Sequence, residues 1–83
     1  MDNPTIAREL LRQARELAAG GDNLYRVRAY RQAAATIQGL DRPVADLVTV
    51  AGPRGLRSLP GVGASLAKTI AALAMGGELA RAG

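Results

Sequence analysis

This 83-residue chain reads as an all-α protein, and three observations point there. No segment alternates apolar and polar residues with period two, so no strand is indicated. Apolar residues instead recur at three- and four-residue spacing in four stretches, the mark of helices with one buried face. Between those stretches stand Gly and Pro pairs of the kind that stop one helix and start the next. A chain of this length holds one core, so residues 1–83 are expected to form a single domain.

Asn3 followed by Pro4 reads as a cap and first residue of helix one. Ile6, Leu10, Ala14 and Leu17 then follow at helical spacing, with Leu11 widening the stripe and Gly20-Gly21 as the stop. Asp22 or Asn23 caps the second helix. Its buried face is Val27, Tyr30, Ala34 and Ile37, and Gly39 ends it. Pro43 reads as the first residue of a short third helix carrying Val44, Leu47, Val48 and Ala51 inward, ended by Gly52-Pro53. Arg54 to Ser58 suffices for one or two helical turns. Leu59-Pro60-Gly61-Val62-Gly63 cannot continue them. A fourth helix runs from Ala64 to about Met75, with Leu66, Ile70 and Leu73 inward, and Gly76-Gly77 stops it. Residues 78–83 are a short tail, expected to fray. The second helix is expected to pack Val27, Tyr30 and Ile37 against Ile6, Leu10, Leu66 and Ile70.

Composition narrows the chemistry. The chain has no Cys and no His, which removes disulfides, thiolate and imidazole metal ligands, and any Ser-His-Asp triad. No apolar run approaches ~18 residues, and no basic-then-apolar leader is evident, so a cytoplasmic protein without membrane contact is expected. Seventeen residues are Ala and the only aromatic residues are two Tyr, so the core must be built from aliphatic side chains with helices in close approach.

The net charge is +4, and its distribution says more than its total. Residues 23–40 carry Arg26, Arg28 and Arg31 without an acid; residues 54–75 carry Arg54, Arg57 and Lys68 without an acid. Brought together by the fold, these blocks make a face suited to a polyanion; kept apart, they are two solvated helix faces.

The one specific motif is Leu59-Pro60-Gly61-Val62-Gly63. Pro60 sets a turn, and the two glycines allow positive φ and strip away side chains that would block close approach. The turn leads straight into a helix. The amides of Gly61, Gly63 and Ser65 then lie near a helix N-terminus, where donors are unsatisfied and the dipole end is positive. Phosphate is the natural ligand of such a place. Val62 would anchor the turn in the core, with Leu56 and Leu66 joining its flanks. An ordinary corner between two helices is the alternative reading of the same residues.

The run from Leu59 to Ile70, LPGVGASLAKTI, resembles a helix-hairpin-helix DNA-binding motif. Residues 23–34, NLYRVRAYRQAA, resemble the second helix of the small N-terminal domain of family X DNA polymerases, the polymerase-beta type. Gly76-Gly77-Glu78-Leu79 matches that domain's ending. The resemblance covers nearly the whole chain. It implies a SAM-domain-like bundle of four helices plus a short helical turn, and a role in DNA repair.

The resemblance also implies a set of contacts. Backbone phosphate would be held by the amides of Gly61, Gly63 and Ser65. A 5′-phosphate pocket would use Arg26, Tyr30 and Arg81. Lys68 is not part of that set; facing solvent, it is expected to make a loose phosphate contact. A monovalent cation, Na⁺ or K⁺, would sit on the carbonyls of Arg57, Leu59 and Val62. Another pocket lysine of that family falls at Ser65 here. The lysine that forms a Schiff base with an abasic sugar falls at Thr69, which cannot form an imine, and Lys68 is one residue and about 100° around the helix from it. The polymerase carboxylates belong to domains that this chain does not contain.

Three functions follow for comparison: a sequence-nonspecific DNA-binding module for duplex, nicked or gapped DNA; an abasic-site lyase working through Lys68 or the α-amine; and a protein-interaction or structural domain. The hairpin and the basic blocks favour the first. Thr69 speaks against the second, so no enzyme activity is expected. An interaction domain would need no open phosphate nest, which separates the third from the first.

Overall fold

Asp2 opens the first helix, one residue before the cap expected at Asn3. In the computed structural model, which describes residues 2–75, the Asp2 carboxylate accepts the Thr5 amide at 3.0 Å and α1 runs Asn3–Ala19. Asn3 is helical and its side chain does a different job. Its Nδ2 donates to the Arg42 carbonyl at 2.8 Å, and its Oδ1 accepts the Val44 amide at 2.9 Å. Asp2 outcompetes Asn3 as cap because the Asn3 amide satisfies donors and acceptors some forty residues away.

Asn23 caps α2, Leu24–Gln38, by accepting the Tyr25 amide at 2.7 Å. The expected face of Val27, Tyr30, Ala34 and Ile37 is buried, joined by Ala33. Pro43 is the cap of α3, Val44–Ala51, rather than its first residue, and it brings no side-chain acceptor. Asn3 supplies that acceptor from α1. Within α3 only Val44 is fully buried; Leu47 and Val48 are half-buried against the core, and Ala51, expected inward, is exposed. Eight residues give two turns, too few to keep one face inward to the end while the chain bends away.

Gly52, at φ +64°, closes α3 as expected, and a tight 3-10 segment, Gly52–Ser58, follows directly, starting two residues before the turn expected from Arg54. Its Leu56 is completely buried. The hairpin then leads to α4, Ala64–Ala74, with Leu66, Ala67, Ile70 and Leu73 inward as expected. The fold is all-α, and among the described residues there is no strand. The expected stop at Gly76-Gly77 and the fraying tail lie outside the described residues.

The packing follows from these faces. α1 lies along α2, while α3 and the 3-10 segment pack on α4. One aliphatic core joins the two halves: Ile6, Leu10, Val27, Tyr30, Ile37, Val44, Leu56, Leu66 and Ile70 belong to one cluster. Ala7, Ala14, Ala33, Ala34 and Ala67 fill the seams, which is how a core without Phe or Trp closes. Among the described residues no helix is long and apolar enough to cross a membrane.

Candidate nucleic-acid interface

The hairpin is shaped by a few local bonds. The Leu59 amide donates to the Leu56 carbonyl, and the Val62 amide to the Leu59 carbonyl, both at 3.1 Å. Gly61 takes φ +81°, a conformation that side chains disfavour. Val62 is 6% exposed and pins the turn to the core as expected. Gly63 differs from the expectation for it. Its backbone is extended, with φ −93°, so it is needed for its missing side chain and not for an unusual torsion.

The first helical bond of α4 runs from the Ala67 amide to the Gly63 carbonyl at 2.9 Å. The amides of Gly61, Gly63, Ala64 and Ser65 therefore have no backbone acceptor among the described residues, and all four residues are exposed. Gly63 caps α4 without a side chain. These solvated donors at a positive helix end can hold an anion.

The hairpin does not stand free; α2 carries it. The Thr36 hydroxyl donates to the Pro60 carbonyl at 2.9 Å. The Gln32 side chain lies directly under Gly61. Further toward the start of α2, Arg26, Ala29 and Tyr30 line a cavity of about 290 Å³ together with Gly61, Gly63, Ala64, Ser65 and Leu66. The hairpin thus runs antiparallel along α2, past Thr36, then Gln32, then Ala29. Five residues singled out by sequence (Arg26, Tyr30, Gly61, Gly63 and Ser65) share this one cavity.

Each wall has its own chemistry. Arg26 is exposed and makes a loose ion pair with Asp22 at 3.5 Å, a contact that a phosphate can displace. Tyr30 is 8% exposed. Its hydroxyl has no protein partner among the described residues, and no buried side-chain polar atom there lacks one, so the hydroxyl reaches solvent. Arg26 and Tyr30 also wall a second hollow of about 340 Å³ on the α1 side, with Gln13, Glu16 and Leu17.

Other sequence-selected residues lie elsewhere. Lys68 and Thr69 line a separate cavity of about 540 Å³ with Gln13, Pro53, Ala71, Ala72 and Leu73. The Thr69 hydroxyl donates to the Ser65 carbonyl at 3.2 Å. Arg81 is outside the described residues. Of the three carbonyls expected around a cation, that of Leu59 accepts the Val62 amide, while those of Arg57 and Val62 have no donor among the described residues. These neutral oxygens suit a monovalent cation, and among the described residues no cluster of acidic side chains could hold a metal ion.

The basic residues are unevenly neutralised. Arg12 is held by Glu9 and Glu16, which raise its pKa, Glu9 most. Arg28, Arg31, Arg54, Arg57 and Lys68 have no ion pair among the described residues and are exposed. Sequence reasoning missed Gln32 and Thr36, the two residues that seat the hairpin. No local signal identifies them, because their partners are more than twenty residues away.

Residues 1–79 match the family model described as helix-hairpin-helix domain. The chain belongs to that family. Helix-hairpin-helix domains are in general sequence-nonspecific DNA-binding modules. No curated protein and no solved structure matches the chain. In this helix-hairpin-helix domain the helix before the hairpin is the seven-residue 3-10 segment and the one after it is α4.

Proposed function

We propose that this helix-hairpin-helix domain binds DNA through its backbone, without reading base sequence. The carrying observation is the shared cavity, which the residues bearing the hairpin's unpaired amides line together with Arg26 and Tyr30. Amides and a positive helix end recognise phosphate, and a guanidinium adds charge. No residue pattern in the sequence indicates base-edge readout, and contacts of this kind position DNA without selecting sequence.

A terminal 5′-phosphate at a nick or gap is the preferred target in this reading. The support is the likeness of residues 23–34 and 59–70 to the small domain of family X DNA polymerases, together with the placement of Arg26 and Tyr30 at the hairpin. Arg81 would join from the C-terminal segment, and Lys68 would act as an outlying charge. The carbonyls of Arg57, Leu59 and Val62 would hold a Na⁺ or K⁺ ion that offsets phosphate charge. The domain acts as a binding module in repair and not as a lyase.

A salt series tests this. A module neutralising ~3–5 phosphates gives log K falling with log salt at a slope of about −3 to −4 on duplex. Duplex, gapped and 5′-phosphorylated gapped DNA are compared, with unrelated sequences of each. The expected order places the phosphorylated gap first and shows little change with sequence. Salt-independent affinity, or preference for one sequence, overturns the reading.

A further inference from the structure

We infer that Arg28 and Gln32 form a second phosphate contact on the outer bank of the hairpin, opposite Arg26. The inference rests on the DNA-binding reading and extends it from one phosphate to two.

Helix geometry places the residues. Ala29, Gln32 and Thr36 meet the hairpin and so define the stripe of α2 that carries it. Arg26 lies on the inner side of that stripe, toward the core face of Ala33 and Tyr30. Arg28 lies on the other side, one turn before Gln32 and about 40° from it. The two are an i, i+4 pair and neighbours on the helix surface. Arg31 is about 100° from Gln32, further from the hairpin.

The chemistry of this bank is that of a phosphate contact. Arg28 is exposed and has no ion pair among the described residues, whereas Arg26 must leave Asp22 to bind. Residues 23–40 contain no acid to compete for Arg28. The carbon chain of Gln32 packs under Gly61, which fixes where its carboxamide is presented. That carboxamide makes no hydrogen bond among the described residues. A guanidinium and a carboxamide N–H give one anionic oxygen set a charged and a neutral donor. A strand held by the inner cavity can therefore place its neighbouring phosphate on the outer bank.

The test is a salt titration of a short fluorescent duplex followed by anisotropy. Arg28→Gln is compared with Arg31→Gln, which removes the same charge from the same helix. Gln32→Glu keeps the packing under Gly61 and puts a negative charge where the phosphate is expected. Gly63→Ala reports on the inner nest, and thermal melts accompany every variant. Arg28→Gln is expected to weaken binding about five- to tenfold at low salt, equally on unrelated sequences, and to reduce the salt slope by about 1. Gln32→Glu is expected to weaken it at least as much, and Arg31→Gln less than about twofold with the slope unchanged. Equal effects of Arg28→Gln and Arg31→Gln, or wild-type binding by folded Gln32→Glu, overturn the second contact alone, provided Gly63→Ala still weakens binding. A wild-type chain that does not bind duplex overturns the underlying reading as well.

Discussion

Gly61 sits on Gln32 so closely that a β-carbon at position 61 would lie 2.7 Å from Gln32 Cγ and 2.8 Å from Cδ. The same residue holds φ +81°. Two independent demands, a tight seat and a left-handed backbone, therefore fall on one glycine. Gly63, two residues later, carries neither: a β-carbon there meets nothing within 4 Å.

Gly61→Ala is accordingly expected to destabilise the fold by ~1–3 kcal/mol, the range for a non-glycine residue held in a left-handed conformation. Chemical denaturation measures it. Adding Gln32→Ala should recover only part of the loss, because it opens the seat and leaves the torsion. Full recovery would mean that the backbone conformation is not strained by alanine.

Gly63→Ala is expected to fold with stability within ~1 kcal/mol of wild type, since its torsions suit any residue. Its DNA affinity should nonetheless fall by more than that of any single exposed Arg→Ala variant, because the added methyl stands among the amides that face the phosphate. Parallel melts and anisotropy titrations check the pair of statements. Normal binding by this folded variant would remove the hairpin from the interface.

What the sequence made legible was local. Helix positions, the buried stripe of α2, and the Pro-Gly-Val-Gly turn all follow from torsions and periodicity. The joint placement of Arg26, Tyr30 and the hairpin depended on a family resemblance, since charge alone left the basic blocks unplaced. The Asn3 side chain could not be foreseen as the tie to α3, because Asn before Pro is an equally good local cap. Gln32 and Thr36 were illegible for the same reason: their partners become neighbours only after the two halves dock. Gly52-Pro53 stops α3 as its residues indicate, but the same two residues also open the 3-10 segment, because a glycine and a proline that end one helix permit an immediate tighter turn.

The Asn3 tie gives a stability prediction. Its amide bridges α1 to the Arg42 carbonyl and to the Val44 amide at the start of α3. Asn3→Ala leaves α3 without an acceptor at its start and is expected to cost ~1–2 kcal/mol. Asn3→Asp keeps the acceptor for Val44 and loses the donor to Arg42, so its loss should be smaller. Denaturant midpoints order the three proteins; equal midpoints would show that the bridge contributes nothing in solution.

Acid should weaken α1 first. Hydrogen bonding from Thr5, by its side chain and its amide, holds the Asp2 carboxyl below its ordinary value. The hydrogen bond from Arg12 does the same for Glu9, against the opposing effect of its partial burial. Both folded values lie below the unfolded ones. Their contribution is thus complete above the unfolded range, about 4, and disappears as pH falls through the lower folded values. Melting temperature measured from neutral pH downward should drop across that window. Asp2→Asn keeps a capping oxygen but no longer titrates, so its melting temperature should fall less steeply. An unchanged acid slope in this variant would remove Asp2 from the account.

Lyase chemistry should be absent. An imine needs an unprotonated amine aimed at the sugar carbon C1′. The resemblance places that amine at position 69, where this chain has a threonine whose hydroxyl is bonded to the Ser65 carbonyl. Lys68 is the chain's only lysine, and it lines the cavity with Pro53 and Leu73 instead of the one shared by Arg26, Tyr30 and the hairpin. A sugar whose phosphate occupies the hairpin cavity would therefore find no side-chain amine among the residues lining it. Borohydride trapping on DNA carrying a 5′-deoxyribose phosphate is expected to give no adduct. An adduct abolished by Lys68→Ala would establish that Lys68 reaches the sugar and that the domain is an enzyme. An adduct that survives Lys68→Ala but disappears on acetylating the N-terminus would assign the chemistry to the α-amine.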